Sequence, residues 1–362
     1  MPSFRIIAAV LALTLVCGTM LDARKKKKKG HDEEEITQTL PLLKDPPLAV
    51  IAETDRLIFR TSPLSAKGLL SPQVREALKA LIRDNKGAVI VKLRAFVAGT
   101  GDVRRVQTIL SETFAEKKLP LPALSVIQAG ALPMEGAQVV VESIAVDKKA
   151  VNPQGLAFLS GQPAASAVKS VEQLEAALRG IGLSGSRVLK VTCFVSAIET
   201  ANNARTALVS AFPNAAYNIV QMERVPVEPA AECEAVAALE RPVGADLRFE
   251  NPGGQNYSQI VLVSAPRLVL TGTQLAFQEK ETDVRLAMDR LGKTLESQGA
   301  TYHDIVMSHV YVLSGPAIEA FRKMRFDFLD RKQPPAGTLL PFEGLPSADA
   351  SMGIDLIAAL KH

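Results

Sequence analysis

The same closing phrase ends three successive stretches of this chain, and it restricts the fold to something built from repeated, domain-sized units. Pro133 precedes the strand-like run Glu142-Ser143-Ile144-Ala145, Pro226 precedes Glu234-Ala235-Val236-Ala237, and Pro346 precedes Asp355-Leu356-Ile357-Ala358. Each time a proline-ended segment gives way to a short apolar strand carrying one acid. The first two acids stand 92 positions apart and the last two 121, far beyond the period of a solenoid repeat. The spacing predicts three small domains of one kind in a row.

Each repeat carries one order of local patterns. In the first, Arg56 to Ser62 reads as a strand, Val74, Leu78, Leu81 and Ile82 mark one face of a helix, and Ala88 to Ala98 is a second strand. A helix on Val103, Val106, Ile109 and Leu110 and strands at Leu124 to Ile127 and Gln138 to Val146 complete it. The middle repeat copies this order, with a helix opened by Ser170. In the third, Ser258 to Val263 and Arg267 to Thr271 flank Ala265-Pro266, which predicts a hairpin, and Ile318, Phe321, Met324 and Phe328 mark its second helix. Strand–helix–strand–helix–strand–strand means helices covering one face of a mixed sheet, an α+β layer. The strand Val139 to Val146 is apolar on its other face too, and that face must be buried against something. Three such sheets in one chain can bury their second faces against one another.

The boundaries that follow are a signal-peptide-like segment over 1–23, a charged linker over 24–49, domains over 50–150, 151–240 and 257–362, and a second linker over 241–256. The apolar run Ile6 to Val16 after Arg5 has the length of a signal-peptide core and is short for a membrane span. It predicts export, periplasmic or secreted, with no stable membrane span after processing. The basic run Arg24 to Lys29 argues instead for retention, as a cytoplasmic or membrane-tethered chain. Residues 1–29 carry seven of the 42 basic groups and one of the 38 acids, which leaves the body at 35 against 37. Such a body lacks the basic footprint of a nucleic-acid binder. Cys193 and Cys233, both in strand-like runs, read as two small buried hydrophobes, although a disulfide between them is geometrically possible.

The third repeat adds finer signatures: Asn256-Tyr257-Ser258-Gln259, Leu270-Thr271-Gly272-Thr273, Gly299-Ala300, Gln333-Pro334-Pro335-Ala336 and Ile354-Asp355-Leu356-Ile357-Ala358. The middle one has Leu159-Ser160-Gly161-Gln162-Pro163 and Glu232-Cys233-Glu234-Ala235, and the first has Pro122-Ala123 and Leu132-Pro133. In this order, three times over, the motifs resemble the RidA (YjgF-type, endoribonuclease L-PSP-like) imine deaminase family. The resemblance implies three tandem chorismate-mutase-like α+β domains closed into an intramolecular pseudo-trimer, sheets inside and helices outside. It also implies a monomer with small-molecule ligands in inter-domain clefts.

In that family an arginine after P-P-A grips the substrate carboxylate as a planar fork, and a strand glutamate serves the attacking water. Carried over, the arginine is missing: Leu124, Ala216 and Gly337 stand in its places. The acid is kept as Glu142, Glu234 and Asp355, either catalytic or inherited as structural acids. Tyr257, the turn Ser160-Gly161-Gln162, and the cations Arg205 and Arg224 are candidate ligand-binding residues, or else core-edge, turn and surface residues.

Four histidines show no metal-ligand spacing, and no P-loop, nucleophile elbow or dinucleotide fingerprint is present, so neither metal nor cofactor is expected. The resulting expectation is a small-molecule-binding or scaffolding pseudo-enzyme. The alternative is an active hydrolase of 2-imino acids, of the 2-iminobutanoate or 2-iminopropanoate type, that anchors its substrate differently. The acidic body disfavours ribonuclease activity.

Overall fold

The computed structural model describes residues 43–99, 101–223 and 230–361. The signal-peptide-like segment and Arg224 lie outside these residues. After a short strand β1 (Ala49–Glu53), the first repeat comprises β2 (Leu57–Thr61), α1 (Leu70–Asp84), β3 (Val89–Ala98), α2 (Arg105–Glu116), β4 (Ala123–Ala129) and β5 (Val139–Val146). The second comprises β6 (Leu156–Ala164), α3 (Ala167–Gly180), β7 (Val188–Val195), α4 (Ala201–Ala211), β8 (Ala216–Gln221) and β9 (Ala231–Ala238). Strands β10 (Leu247–Glu250) and β11 (Ile260–Val263) lead to the third. It comprises β12 (Arg267–Thr271), β13 (Gln274–Phe277), α5 (Glu281–Ser297), β14 (Ile305–Val312), α6 (Gly315–Phe328), β15 (Ala336–Pro341) and β16 (Ala350–Leu360). Among the described residues, six α-helices and three mixed sheets thus make an α+β architecture whose repeats share one element order.

The sheets run β2-β5-β3-β4, β10-β11-β6-β9-β7-β8 and β1-β12-β16-β14-β15, with β13 also on β16. The expected hairpin between Ser258–Val263 and Arg267–Thr271 does not form. Strand β11 pairs with β6 of the second sheet, while β12 pairs with β1 and β16. The connection is held elsewhere: Ser264 and Ala265 donate to the Asp246 carbonyl, and Thr54 donates to that of Pro266. The chain therefore steps from one sheet to the next at Ala265-Pro266. The stretch 241–256, expected as linker, contains strand β10.

Alternation along each strand sorts the core into layers. Leu93, Ala95 and Val97 face α1 and α2; Val191 and Val195 face α3 and α4; Val310 and Val312 face α5 and α6. The opposite faces meet in two clusters drawn from all three repeats. One holds Phe59, Phe158, Leu270 and Met307; the other holds Phe96, Phe194, Tyr311 and Phe342. Beside the second cluster, Gln128 donates to the Gly344 carbonyl, Gln221 to that of Ala131 and Glu223 to that of Pro341. Every pair of repeats is thereby bonded.

Helix α3 starts at Ala167 with Ser166 as its cap. Ser170 sits inside the helix and ties it to the sheet, donating to the Gln162 carbonyl and accepting from Cys233 N–H. The two cysteines are also more than small hydrophobes. Antiparallel register sets Cys193 opposite Cys233 with Cα atoms 4.1 Å apart, and they form a disulfide. Replacing both by Ala should lower stability by about 2–4 kcal/mol, the usual effect of opening a loop of this kind. Denaturant unfolding with and without reductant checks this: the reductant should shift the midpoint of the unaltered protein and leave that of the variant in place.

Candidate functional site

The three repeated acids occupy one register position. Glu142 lies opposite Arg94 on β3, Glu234 opposite Thr192 on β7, and Asp355 opposite His309 on β14. All three face the centre and are at most 3% exposed. Each accepts a hydrogen bond from the parallel strand of a neighbouring repeat. Asn218 Nδ2 donates to Glu142 Oε1 at 3.1 Å, Thr338 Oγ1 to Glu234 Oε2 at 3.1 Å, and Ser125 Oγ to Asp355 Oδ2 at 2.5 Å. First to second, second to third, third to first: the bonds form a cycle.

Cations fill the rest of this layer. Arg94 donates from Nε to Glu142 Oε2 at 2.8 Å and from Nη2 to Glu234 Oε1 at 2.6 Å, and its guanidinium packs over Phe96 and Phe194. Lys190 Nζ lies 2.7 Å from Glu142 and Lys92 Nζ 3.6 Å from Asp355. The third equivalent of these lysines is Met307. There His309 spans the gap, with Nε2 3.3 Å from Glu234 and Nδ1 2.9 Å from Asp355.

Burial alone would raise Glu142, but Arg94 and Lys190 outweigh it and hold the carboxyl down at about 2. Glu234 and Asp355 are held lower still against the same burial penalty. Burial pulls Lys92 down to about 8, and Glu234 and Asp355 raise His309 in spite of burial. These acids are ionised, sealed and fully bonded.

A different carboxyl faces open space. Glu232, two residues before Glu234 on β9, lines a cleft of about 890 Å³ between the second and third repeats. Burial, with Glu234 adding its charge, raises Glu232 to about 8. No hydrogen bond or ion pair holds it among the described residues. Tyr257 also lines this cleft, its hydroxyl buried without a hydrogen-bond partner and its acidity weakened by burial. Arg325 of α6 is 6% exposed, with its Nε buried and unpaired and its guanidinium 5.4 Å from the Tyr257 ring centroid. A Cβ on Gly161 would run into the Glu232 carboxylate, and one on Gly337 would meet the Tyr257 ring at 2.7 Å. The two glycines make room for the acid and the tyrosine.

Of the other sequence candidates, Ser160, Gly161 and Gln162 line this same cleft, with the Ser160 and Gln162 side chains already engaged by backbone groups. Ser160 binds across the repeats, donating to the Ser258 carbonyl and accepting from Gly337 N–H. Gln162 Nε2 turns back to the Ser160 carbonyl. Arg205 is exposed and lines a separate cleft of about 880 Å³ between the first and second repeats.

The parallel register also corrects one assignment. Leu124 lies opposite Leu93 and Gly337 opposite Ser308, each one residue before the cycle donors Ser125 and Thr338. The residue one before Asn218 is Tyr217, opposite Val191. Tyr217, and not Ala216, therefore matches Leu124 and Gly337. The middle repeat simply has one residue more before this strand than the motif spacing suggested.

Position by position, Glu232 matches Val140 and Gly353, opposite Phe194, Phe96 and Tyr311 respectively. An acid thus lines only one of the three clefts at this position. The cleft between the third and first repeats is the smallest, about 290 Å³, and the segment Asp45 to Leu48 lines it. That segment is fixed by Gly272 N–H to the Leu48 carbonyl and Gln107 Nε2 to Asp45. Among the described residues, no cluster of three His, Cys, Asp or Glu side chains could hold a metal ion, and no helix is long and apolar enough to cross a membrane.

Sequence reading missed Glu232 and Arg325. The signal for the first was the doubled acid in Glu232-Cys233-Glu234, since residues two apart share a strand face. For the second it was a charge four residues after Phe321, on the buried stripe of α6.

The layered sheet and paired helices of the third repeat define a domain of RidA-like fold. Residues 252–360 match the family model described as Endoribonuclease L-PSP, and the third repeat is a domain of that type. Among solved structures the chain is similar to a Rid-family protein, YyfB, from Yersinia pestis, at 20% identity over 32% of this chain and 100% of that one, with a TM-score of 0.28. It is also similar to E. coli TdcF with bound serine (18% identity, 27% and 83% covered, TM-score 0.24) and a putative endoribonuclease from Thermotoga maritima (20%, 34% and 100%, 0.24). No curated protein matches the chain in sequence.

Proposed function

We propose that the chain is a pseudo-trimer of three RidA-like domains that acts as a monomer and keeps one small-molecule cleft, between its second and third domains. It binds there a ligand carrying an anionic group. The cyclic bonding of Glu142, Glu234 and Asp355 supports the closed arrangement, and their pairing supports a structural role for them. Loss of the family arginine at Leu124, Tyr217 and Gly337 supports a changed ligand. The observation that carries the reading is Arg325, a buried and incompletely paired cation beside Tyr257 and Glu232. Arg325 takes over the anchoring charge from a different element. The Cys193–Cys233 disulfide supports export, since such bonds persist in oxidising compartments. Calorimetric titration with a panel of small carboxylates tests the binding: Arg325→Met should weaken it at least tenfold, and equal affinities would overturn the reading.

A second reading, hydrolysis of an imine in this cleft, is favoured by the elevated Glu232. A carboxyl that titrates near 8 can exchange a proton with water at neutral pH. Water would add to the imine carbon while Glu232 passes one of its protons to the nitrogen; the resulting carbinolamine then gives its hydroxyl proton through Glu232 to the nitrogen as the C–N bond breaks, so that a carbonyl and ammonia result. If so, 2-iminobutanoate turnover should fall about 10²–10⁴-fold in Glu232→Gln. Turnover by the unaltered protein no faster than the uncatalysed rate leaves the cleft as a binding site only.

A further inference from the structure

We infer that the buried ion layer is a binding site for one small monovalent anion, a halide such as chloride, separate from the cleft at Glu232. A cavity of about 40 Å³ lies within the layer, bounded by Lys92, Arg94, Lys190 and His309 on one side and by apolar residues such as Phe59 and Phe158 on the other. That is room for a monatomic ion with a water or two, and none for a multi-carbon acid.

The layer is short of acceptors and not of donors. Glu142 accepts from Arg94, Thr192 and Asn218, and Lys190 faces it as well. Glu234 accepts from Arg94 and Thr338 with His309 beside it, and Asp355 from Ser125 and Tyr311 with His309 beside it. Lys92 donates to Ser125 and to the Thr271 carbonyl. Arg94 uses Nε and Nη2 for these bonds, but its Nη1 is buried with no partner. Lys190 Nζ carries three N–H donors and meets Glu142 alone among the described residues. Buried donors without acceptors call for an ion or a water, and donors carried by two cations select a negative ion.

Charge gives the same sign. His309 has a carboxylate at each ring nitrogen, Glu234 3.3 Å from Nε2 and Asp355 2.9 Å from Nδ1. A neutral imidazole has one N–H, so both contacts are met as hydrogen bonds only by the imidazolium. Lys92, Arg94, Lys190 and His309 then stand against three acids, and one positive charge is left over. A buried charge without a counter-charge is costly. Burial and then Arg94 pull Lys190 below its ordinary range, as befits a cation short of counter-charge. One monovalent anion restores neutrality. The apolar wall offers no donors to replace the water around a strongly hydrated oxyanion, which favours a halide.

Urea unfolding of the full chain at pH 7, in sodium chloride and in sodium gluconate of equal ionic strength, tests this. The midpoint should be higher in chloride and level off as chloride is raised, because a ligand of the folded state alone stabilises it by mass action. Gluconate is too large for the cavity. Lys190→Met, which places there the residue that the third repeat carries as Met307, should lose most of the difference between the salts. Equal midpoints for the unaltered protein would overturn the site, and so would a difference that Lys190→Met leaves intact. If that variant does not fold, crystals of the unaltered protein grown in sodium bromide decide. An anomalous peak in contact with Arg94 or Lys190 is expected, and a cavity without one would overturn the inference.

Discussion

Replacing Arg94 by Met should destabilise the protein by about 3–5 kcal/mol, the cost of leaving a buried charge without its partner. One guanidinium serves two carboxylates, Glu142 and Glu234, which come from different repeats. Without it Lys190 still faces Glu142 and His309 still faces Glu234, so the loss is partial, but the remaining cations of the layer are two lysines and His309, and the bridge between Glu142 and Glu234 is gone. Apolar replacement also exposes the mismatch to the rings of Phe96 and Phe194, which now cap the guanidinium. Arg94→Lys keeps the charge but cannot span both acids, and should fall between the two. Urea unfolding of the three proteins measures the order; equal midpoints would mean that the layer does not hold the repeats together.

Acid should unfold the protein steeply. Glu142 titrates at about 2 in the folded chain and near 4.5 when unfolded, and Glu234 and Asp355 are depressed further. For such groups the stabilisation is present above the unfolded value and disappears as pH falls toward the folded one. Unfolding between pH 4.5 and 2 then takes up as many as three protons at these sites, a slope of up to about 4 kcal/mol per pH unit. Two groups act in the opposite sense. Glu232 keeps its proton to about 8 when folded but loses it near 4.5 when unfolded, so it removes stability as pH rises through that window. His309, raised by Glu234 and Asp355, stabilises below its unfolded value and loses that contribution as pH rises through its folded value. Stability should therefore peak in mild acid and drop sharply below pH 4. Unfolding free energies across pH 2–9 check this, and a flat profile below pH 4.5 would contradict the ion layer.

Both expectations depend on features that the sequence only half discloses. Tandem organisation was legible because strand alternation and the recurring Glu142, Glu234 and Asp355 repeat at domain spacing. The helix faces were legible because Val74, Leu78 and Leu81, or Phe321 and Met324, follow helical periodicity. Pairing partners were not. The segments at Ser258–Val263 and Arg267–Thr271 look like a hairpin locally, and only tertiary contacts to Asp246 and Thr54 send them to different sheets. Charge pairing was hidden for the same reason: Arg94, Lys190 and Asp355 are distant in sequence and meet only when three sheets close. Tyr257 and the Ser160-Gly161-Gln162 turn line the cleft as expected, but its acid stands two residues away along the strand from the repeated one. Glu234 carries the repeated motif, but Glu232, which has no acidic counterpart at Val140 or Gly353, is the one that reaches open space.

On the pseudo-trimer reading proposed above, inequivalence is what a tethered arrangement permits. Arg94, Thr192 and His309 share one register position, as do Lys92, Lys190 and Met307. Identical subunits would put the same residue at all three places, and three arginines on one axis would face only three acids while crowding one another. One arginine, one threonine and one histidine instead balance the layer with each acid held from two sides. The clefts diverge likewise, one bearing Glu232, one open but without that acid, and one lined by the chain's own Asp45 to Leu48 segment.

The mass of the protein in solution tests most directly whether one chain closes on itself in this way. Light scattering on the purified protein should give a monomer at or, after any processing, slightly below 38.7 kDa across a wide concentration range. A stable species of three times that mass would mean that the central faces are completed by other copies, and would contradict the account.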